Sequence, residues 1–189
     1  MPFPDEAFTR GGVVVAPYDA RWAPAGEALV ASLQALLPSA VAVDHIGSTS
    51  VPGLAAKDCL DVMVQVAELD AVTAAALTAA GYRQRPEEWN HHETSYGVPH
   101  VKQVFAPPVG GRSVNIHVRV AGGMNVRYAL LFRDHLRAVP EVADEWGRFK
   151  TRLSQDVPDL AAYGQVKAPA QEVLMWGAER WASETGWSP

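Results

Sequence analysis

Residue types suited to phosphate binding lie close together in the first third of this chain. Gly47 and Ser48 follow a short apolar run, and Lys57 and Asp61 come shortly afterwards. A glycine lets a phosphate approach the backbone closely, and a serine hydroxyl with neighbouring N–H groups can donate to phosphate oxygens. Lys57 could neutralise one phosphate charge, and Asp61 could hold a Mg²⁺ ion that bridges to the phosphates. This set predicts a cleft for a small phosphate-bearing ligand or nucleotide.

A structural interpretation of the same segment stays open beside the functional one. Gly47 and Ser48, continued by Thr49 and Ser50, have the composition of an ordinary turn. Asp61 could simply be a hydrogen-bonding group within a buried strand, where a charge costs roughly several kcal/mol unless it is paired. On composition alone, the four loop residues can be read either as candidate ligand-binding residues or as an ordinary turn.

A second polar set has the period of two that is typical of a strand. Asn115, His117 and Arg119 alternate with apolar residues, which predicts that all three lie on one strand face. An amide, an imidazole and a guanidinium together could bind an anion or transfer a proton. A solvated outer face would have the same pattern. His45, beside the glycine–serine loop, could join this set or cap its strand.

Further polar residues have weaker patterns. Tyr163 and Lys167 are four apart, so they share one helix face and could reach into a cleft, or form an exposed pair. The histidines at 91, 92 and 100, with Glu93, match no established zinc spacing, which argues against a zinc site. The single cysteine, Cys59, lies in an apolar run and is expected to be a core residue.

The first half of the chain has the pattern of a helix followed by buried strands. Leucines at helical spacing predict a helix from Trp22 to Leu37, and Pro38 would end it. Apolar runs predict strands at Val41–Ile46 and Cys59–Val66, the second of them central in a sheet. An alanine-rich helix is expected at Leu69–Ala80, and the polar segment 82–98 is expected to be irregular.

The second half predicts a hairpin and then helices. Strands at His100–Phe105 and Ser113–Val120 are separated by a turn rich in proline and glycine. Helices are expected at about Asn125–Val139, after Pro140, and at about Asp159–Ser183. The order of elements predicts an α+β fold, with helices packed on one side of a mixed β-sheet and a helical C-terminal third.

Composition limits the classes of partner. A chain of 189 residues with 48% hydrophobic residues is expected to form one domain, residues 13–185, preceded by a flexible arm at residues 1–12. The net charge of −5 argues against general nucleic-acid binding. No apolar run is long enough to span a bilayer, and the N-terminus lacks the features of a signal peptide, so a cytoplasmic location is expected. The oligomeric state cannot be inferred from composition.

Several segments together resemble the GrpB family. The most specific is the run His45–Lys57, of sequence HIGSTSVPGLAAK, followed by Leu60-Asp61-Val62. The other matching segments are Val15–Trp22, Asn115–Val118, Phe132–Leu136 and Tyr163–Lys167. The resemblance covers roughly residues 13–182. It implies a nucleotidyltransferase-like fold of the DNA polymerase beta type, and a relation to a domain fused to dephospho-coenzyme A kinases in some bacteria.

The chain departs from the pattern of active nucleotidyltransferases in its acidic residues. Those enzymes carry two carboxylates alternating on the strand after the loop, whereas Asp61 has Cys59 and Met63 at the alternating positions. The strand expected to supply a third acid offers Asn115 and His117 instead. Catalysis by two metal ions is therefore not expected in its usual form.

Three functions remain open at this point. The first is a nucleotide- or phosphate-recognising enzyme, with Lys57, Asp61 and His117 as catalytic residues and Asp61 as a ligand of a single Mg²⁺. The second is a non-catalytic ligand- or partner-binding module. The third is a different transfer reaction, in which His117 acts as the general base. In the first of these, His117 and Lys167 face the substrate across the cleft from Ser48.

Overall fold

The structure is a computed structural model that describes residues 3, 5–6 and 12–189. These residues form five α-helices: α1 (Trp22–Leu36), α2 (Ala71–Ala79), α3 (Met124–Ala138), α4 (Pro140–Asp156) and α5 (Leu160–Thr185). The strands of the described residues are β1 (Ala42–Ile46), β2 (Leu60–Val66), β3 (Arg83–Gln84), β4 (His92–Ser95), β5 (Val98–Val101), β6 (Gln103–Ala106) and β7 (Val114–Val120). The predicted α+β class and the helical C-terminal third are confirmed.

A five-stranded mixed sheet forms the centre of the fold. Its strand order is β1-β2-β7-β6-β3, and β4 pairs with β5 in a separate two-stranded sheet. The pair β2–β7 is parallel, and the other pairs of the main sheet are antiparallel. Asp61 lies opposite Ile46 on one side and Asn115 on the other, so the end of β1 and the starts of β2 and β7 meet at one edge. This edge is where the phosphate-binding loop was expected.

Helices cover both faces of the main sheet, so the prediction of helices on one side is wrong. One face contributes Val62, Val64 and Ile116 to a core shared with α1 and α2. The other face carries Ile46 and Met63, which pack against Val126 and Leu130 of α3. The near-continuous apolar run of β2 reflects this double burial. As predicted, Cys59, Leu60, Val62, Val64 and Val66 are all buried.

The polar segment 82–98 was expected to be irregular, and that expectation is wrong. It contains β3, β4 and a short 3-10 helix at Glu88–Asn90. The predicted strand His100–Phe105 is divided between β5 and β6, which belong to different sheets. Lys102, at the division, donates its backbone N–H to the carbonyl of His91. The hairpin partner of β7 is therefore only β6, and β4–β5 is a separate hairpin beside the main sheet.

Part of the predicted N-terminal arm contacts the far edge of the main sheet. Asp5 forms an ion pair with Arg83, and Glu6 forms a buried one with Arg85. The ring of Phe3 lies 4.3 Å from the Arg83 guanidinium carbon. The other residues of the arm, 1–2, 4 and 7–11, lie outside the described part of the chain, and the flexibility of the arm stays a prediction. Within the described residues, no helix has the length and apolar character needed to cross a bilayer.

Candidate functional site

A cleft of about 350 Å³ opens at the edge where β1, β2 and β7 meet. Its floor is formed by the sheet residues Asp61, His117 and Arg119. Gly47 and Ser48 form one wall, and Lys167 of α5 lines another part of the cavity. The structure thus brings together Gly47, Ser48, Asp61, His117 and Lys167, which the sequence places on a loop, two strands and a helix.

The backbone at Gly47 requires a glycine. Its φ is 71° and its ψ is −169°, a region that is essentially closed to residues with a side chain. A Cβ added here would lie 2.7 Å from Oδ2 of Asp61. The glycine therefore both turns the chain out of β1 and leaves space for the carboxylate of Asp61.

The two residues after Ser48 stabilise the loop from within. Ser50 donates its hydroxyl to the carbonyl of Gly47 at 2.6 Å. The Thr49 hydroxyl lies 3.0 Å from Nε2 of His45. Both side chains are buried and neither lines the cleft. The residues predicted to bind substrate at 49 and 50 are therefore placed to shape the loop.

His45 lies on the opposite face of the sheet from Asp61. It is opposite Val62 in the register, and its ring packs on the backbone of Gly26 in α1. Burial, which outweighs the attraction of Asp61, lowers the pKa of His45 to about 4, so the ring is neutral at pH 7. The structure does not bring His45 into the cleft.

Asp61 is held as a carboxylate by its neighbours on β7. Asn115 donates Nδ2–H to Oδ1 of Asp61 at 2.9 Å, and Nε2 of His117 lies 3.4 Å from the same oxygen. Burial raises the pKa of Asp61, but His117 and Asn115 outweigh it and lower the pKa to about 2. Lys57 contributes less than either of them, although the sequence suggested Lys57 as the main cause. Burial lowers the pKa of His117, despite the hydrogen bond to Asp61.

Arg119 has a carboxylate partner that sequence reasoning missed. Its Nε and Nη2 donate to the two carboxylate oxygens of Glu93 on β4, at 2.8 and 2.9 Å. Lys102 and Asn125 also donate to Glu93. Burial raises the pKa of Glu93, but these partners outweigh it and lower the pKa to about 2. The charge of Arg119 is thus matched within the protein, although its side chain lines the cleft.

Lys150 is a second residue that sequence reasoning missed. It projects from α4, and its Nζ donates to Ser48 Oγ at 2.8 Å and to the carbonyl of Ala55 at 2.6 Å. The residue is 4% exposed. The sequence contains a pattern that could have identified Lys150. It shares helical spacing with Ala143, Trp146 and Leu153, all of which are buried in α4. A lysine on an apolar helix face is unusual, since ammonium groups are rarely buried without a partner.

Lys150 and Lys167 both have depressed pKa values. Burial, with repulsion from Lys167 and Lys57, lowers the pKa of Lys150 to about 7. Burial, with repulsion from Lys57, lowers the pKa of Lys167 to about 8. Lys167 donates to Oε1 of Gln171 at 3.0 Å. Within the described part of the chain, neither lysine forms an ion pair with a carboxylate.

Lys57 and Tyr163 lie beside the cleft without lining it. The Nζ of Lys57 is 6.0 Å from the centre of the Tyr163 ring. Tyr163 packs with Val13 and Leu153 in a small apolar cluster. Tyr163 is therefore a core residue, and Lys57 acts on Asp61 and the two other lysines through its charge.

The donor set suits one metal ion at most. Among the described residues, no group of three or more His, Cys, Asp or Glu side chains is arranged to hold a metal. Asp61 supplies one carboxylate, and Oδ1 already accepts from Asn115. The residues present therefore do not fit a site for two metal ions. A single Mg²⁺ would need most of its oxygen ligands from water and from a bound phosphate.

A larger open cavity of about 650 Å³ lies on the other side of the loop. It is lined by apolar and charged residues of α1, α3 and α4, and it includes His45 and Ser50. Arg137 lines it and donates twice to the carbonyl of Ser50. Titratable groups with shifted pKa values converge on the smaller cleft, so that cleft is the better candidate site.

Solved structures share this fold. The crystal structure of the conserved protein GrpB from Enterococcus faecalis is 26% identical with a TM-score of 0.71, and the match covers 89% of this chain and 99% of that one. A Cid1 poly(U) polymerase structure is 14% identical with a TM-score of 0.51, over 75% of this chain and 42% of that one. The second likeness supports a nucleotidyltransferase-like fold and nothing further.

Sequence relatives fall into two groups. A UPF0157 protein of Streptomyces coelicolor is 42% identical, over 80% of this chain and 76% of that protein. A dephospho-CoA kinase of Mycolicibacterium paratuberculosis is 33% identical, over 95% of this chain and 49% of the kinase. The chain thus spans about half the length of that relative. The family model described as GrpB protein matches residues 12–175. With this match across most of its length, the chain belongs to the GrpB family.

Proposed function

We propose that the cleft binds a small phosphate-bearing ligand, of which a nucleotide is the simplest example. The observation that carries the proposal is a pair of amines near the cleft: Lys150 is hydrogen-bonded to Ser48, and Lys167 lines the cleft together with Ser48. Lys150 is buried and Lys167 is partly buried, and neither has a carboxylate ion-pair partner among the described residues. A buried ammonium without a counter-charge is costly, so a bound anion would stabilise both.

In this proposal each cleft residue has a distinct role. Ser48 and the nearby backbone hold a phosphate oxygen, and Lys167 neutralises its charge from α5. Asp61 and His117 face the ligand from the sheet floor. A Mg²⁺ ion between Asp61 and the phosphate belongs to the proposal too, with the single carboxylate limiting it to one ion. We place the protein in the cytoplasm, where nucleotides occur.

A titration with pyrophosphate, ATP and dephospho-CoA, with and without Mg²⁺, tests the binding. Dephospho-CoA is included because relatives named dephospho-CoA kinase contain a region similar to this chain. We expect Lys167→Ala to weaken the binding of at least one ligand by about 1.5–3 kcal/mol, the usual contribution of a hydrogen bond to a charged group. Lys57→Ala is expected to have a smaller effect in the same direction.

Arg152→Ala is the matched control, because Arg152 lies on α4 in an exposed ion pair with Asp156. The affinity of the Arg152→Ala variant for each ligand should equal that of the wild type. Binding by none of the three ligands, or equal affinities for wild type and Lys167→Ala, would count against the proposal.

A transfer reaction is the second candidate, favoured by the contact between His117 and Asp61. A neutral imidazole beside a carboxylate can accept a proton from an attacking group. If this reaction occurs, Asp61→Asn and His117→Ala should retain ligand binding and lose turnover. If both variants bind as the wild type does and no turnover is found in any of the three proteins, a non-catalytic binding module is the better description.

A further inference from the structure

The anion site proposed above includes an unassigned residue, Lys150. Three of the four lysines in the chain, Lys57, Lys150 and Lys167, are close enough to affect one another's charge. They come from three separate elements: the segment before β2, α4 and α5. Ser48 lies among them, because Lys150 donates to its hydroxyl at 2.8 Å and Lys167 shares its cleft.

The charges around Lys150 are unbalanced. The groups that act on it are Lys167 from α5 and Lys57 from the segment before β2, which repel a proton, and Asp61 from β2, which attracts one. Among the described groups that act on Lys150, Asp61 is the one that attracts a proton, and its carboxylate already accepts a hydrogen bond from Asn115. In the free protein, burial and repulsion together favour the neutral amine.

We infer that an anion enters this cleft together with a proton, and that Lys150 takes up most of that proton. The inference rests on the proposed function, since it concerns the same site. A dianion such as the terminal group of a phosphate monoester would supply a negative charge to Lys150 and Lys167, neither of which forms an ion pair within the described residues. The proton comes from solvent and is bound at Nζ, so a neutral amine becomes an ammonium and no covalent bond to the ligand forms.

The hydrogen bonds of Lys150 are compatible with both protonation states. A neutral amine can donate to the carbonyl of Ala55 and accept from the Ser48 hydroxyl. An ammonium donates to both oxygens, which frees the Ser48 hydroxyl to donate to the anion. Protonation of Lys150 and donation from Ser48 to the ligand are therefore coupled through one 2.8 Å contact.

Calorimetric titration with sulfate tests the inference, because sulfate stays a dianion across the pH range and its own protonation does not contribute. Titrations at pH 8 in buffers of different ionisation enthalpy measure the protons taken up on binding. With the pKa of Lys150 at about 7 in the free protein, we expect uptake of roughly one proton. The dissociation constant should rise with pH above 7, by up to about tenfold per pH unit.

Two variants distinguish Lys150 from the other groups. Lys150→Met should lose more than half of the proton uptake, and the remainder should come from Lys167. Lys150→Arg keeps a permanent charge, so its affinity for sulfate should depend less on pH. The same variant tests the inference if Lys150→Met does not fold. Arg152→Met, on the exposed face of the same helix, should behave as the wild type.

The possible failures are distinguishable. If sulfate and pyrophosphate do not bind at all, the proposed function itself is wrong. If they bind without proton uptake at pH 8, or if Lys150→Met takes up as many protons as the wild type, the anion site stands and the role of Lys150 is overturned.

Discussion

At the scale of single residues, spacing along the sequence identified several residues of the cleft but assigned others wrongly. Gly47, Ser48, Asp61, His117 and Lys167 line it as expected. His45 does not, because one step along a strand reverses the direction of a side chain. Tyr163 shares a helix face with Lys167 but is buried in an apolar cluster. Helical spacing shows which residues share a face and cannot show how deep each one lies.

Gly47→Ala should disturb the site and the fold together. The alanine would be forced into a strained backbone conformation, and its Cβ would press on the Asp61 carboxylate. We expect a loss of stability of about 1–3 kcal/mol in denaturant unfolding, with weaker ligand binding. Gly53→Ala is the control: its φ is also positive, at 81°, but no atom lies within 4 Å of an added Cβ. It should lose stability and keep its ligand affinity; equal effects of both substitutions on affinity would contradict the role of Gly47.

At the scale of elements, apolar periodicity predicted the long elements and failed on the short polar ones. The helix predicted at Trp22–Leu37 is found at Trp22–Leu36, and the run ending at Val66 forms β2, an interior strand of the main sheet. The hairpin β4–β5 was missed, because all four residues of β4 are polar or charged. Glu93 of this hairpin pairs with Arg119 of β7, a long-range contact between charged groups. No local pattern reports such a contact.

Glu93→Gln should destabilise the protein strongly, because it leaves Arg119 and Lys102 buried without a counter-charge. Breaking one side of a buried ion pair typically costs about 3–5 kcal/mol. Denaturant unfolding should show this loss, whereas Glu184→Gln, in an exposed pair with Arg180, should change stability by less than about 0.5 kcal/mol. A loss below about 1 kcal/mol for Glu93→Gln would mean that β4–β5 does not depend on this pair.

At the scale of the whole molecule, the sequence predicted the α+β class and the family. The balance of charges in the cleft could be recognised only from the structure. Three lysines, about a hundred residues apart from first to last in the sequence, lie close enough in the fold to affect one another's charge. The resulting repulsion is present only in the folded chain. The sequence predicted Lys57 and Lys167 as separate contributors, and it could not show their proximity to Lys150.

The folded protein should therefore gain stability as the pH rises above 7. The pKa of Lys150 is depressed to about 7 on folding, so the unfolded chain binds more protons between pH 7 and about 10.5. Stability consequently increases with pH through this window, by up to about 2 kcal/mol from Lys150 between pH 7 and pH 9. Unfolding in denaturant at several pH values measures the trend, and Lys150→Met should flatten it. A fall in stability from pH 7 to pH 9 in the ligand-free protein would contradict the depressed pKa.

At low pH the carboxylates are expected to give a dependence of the same sign, with stability rising as the pH rises. The folded-state pKa values of Asp61 and Glu93 are lowered to about 2, so their contribution is complete above the unfolded pKa values near 4. That contribution is lost as the pH falls from about 4 to 2. Glu93→Gln should reduce this acid-dependent loss.

The central claim is that the cleft beside Ser48 is an anion site. A crystal structure of the protein grown with tungstate, whose tungsten atom gives an anomalous signal, tests the claim most directly. The account predicts the strongest anomalous peak in the cleft, with the anion within hydrogen-bonding distance of Ser48 Oγ and of Nζ of Lys167. Tungstate bound only at exposed arginines or in the cavity beside Arg137, with this cleft lacking a peak, would contradict it.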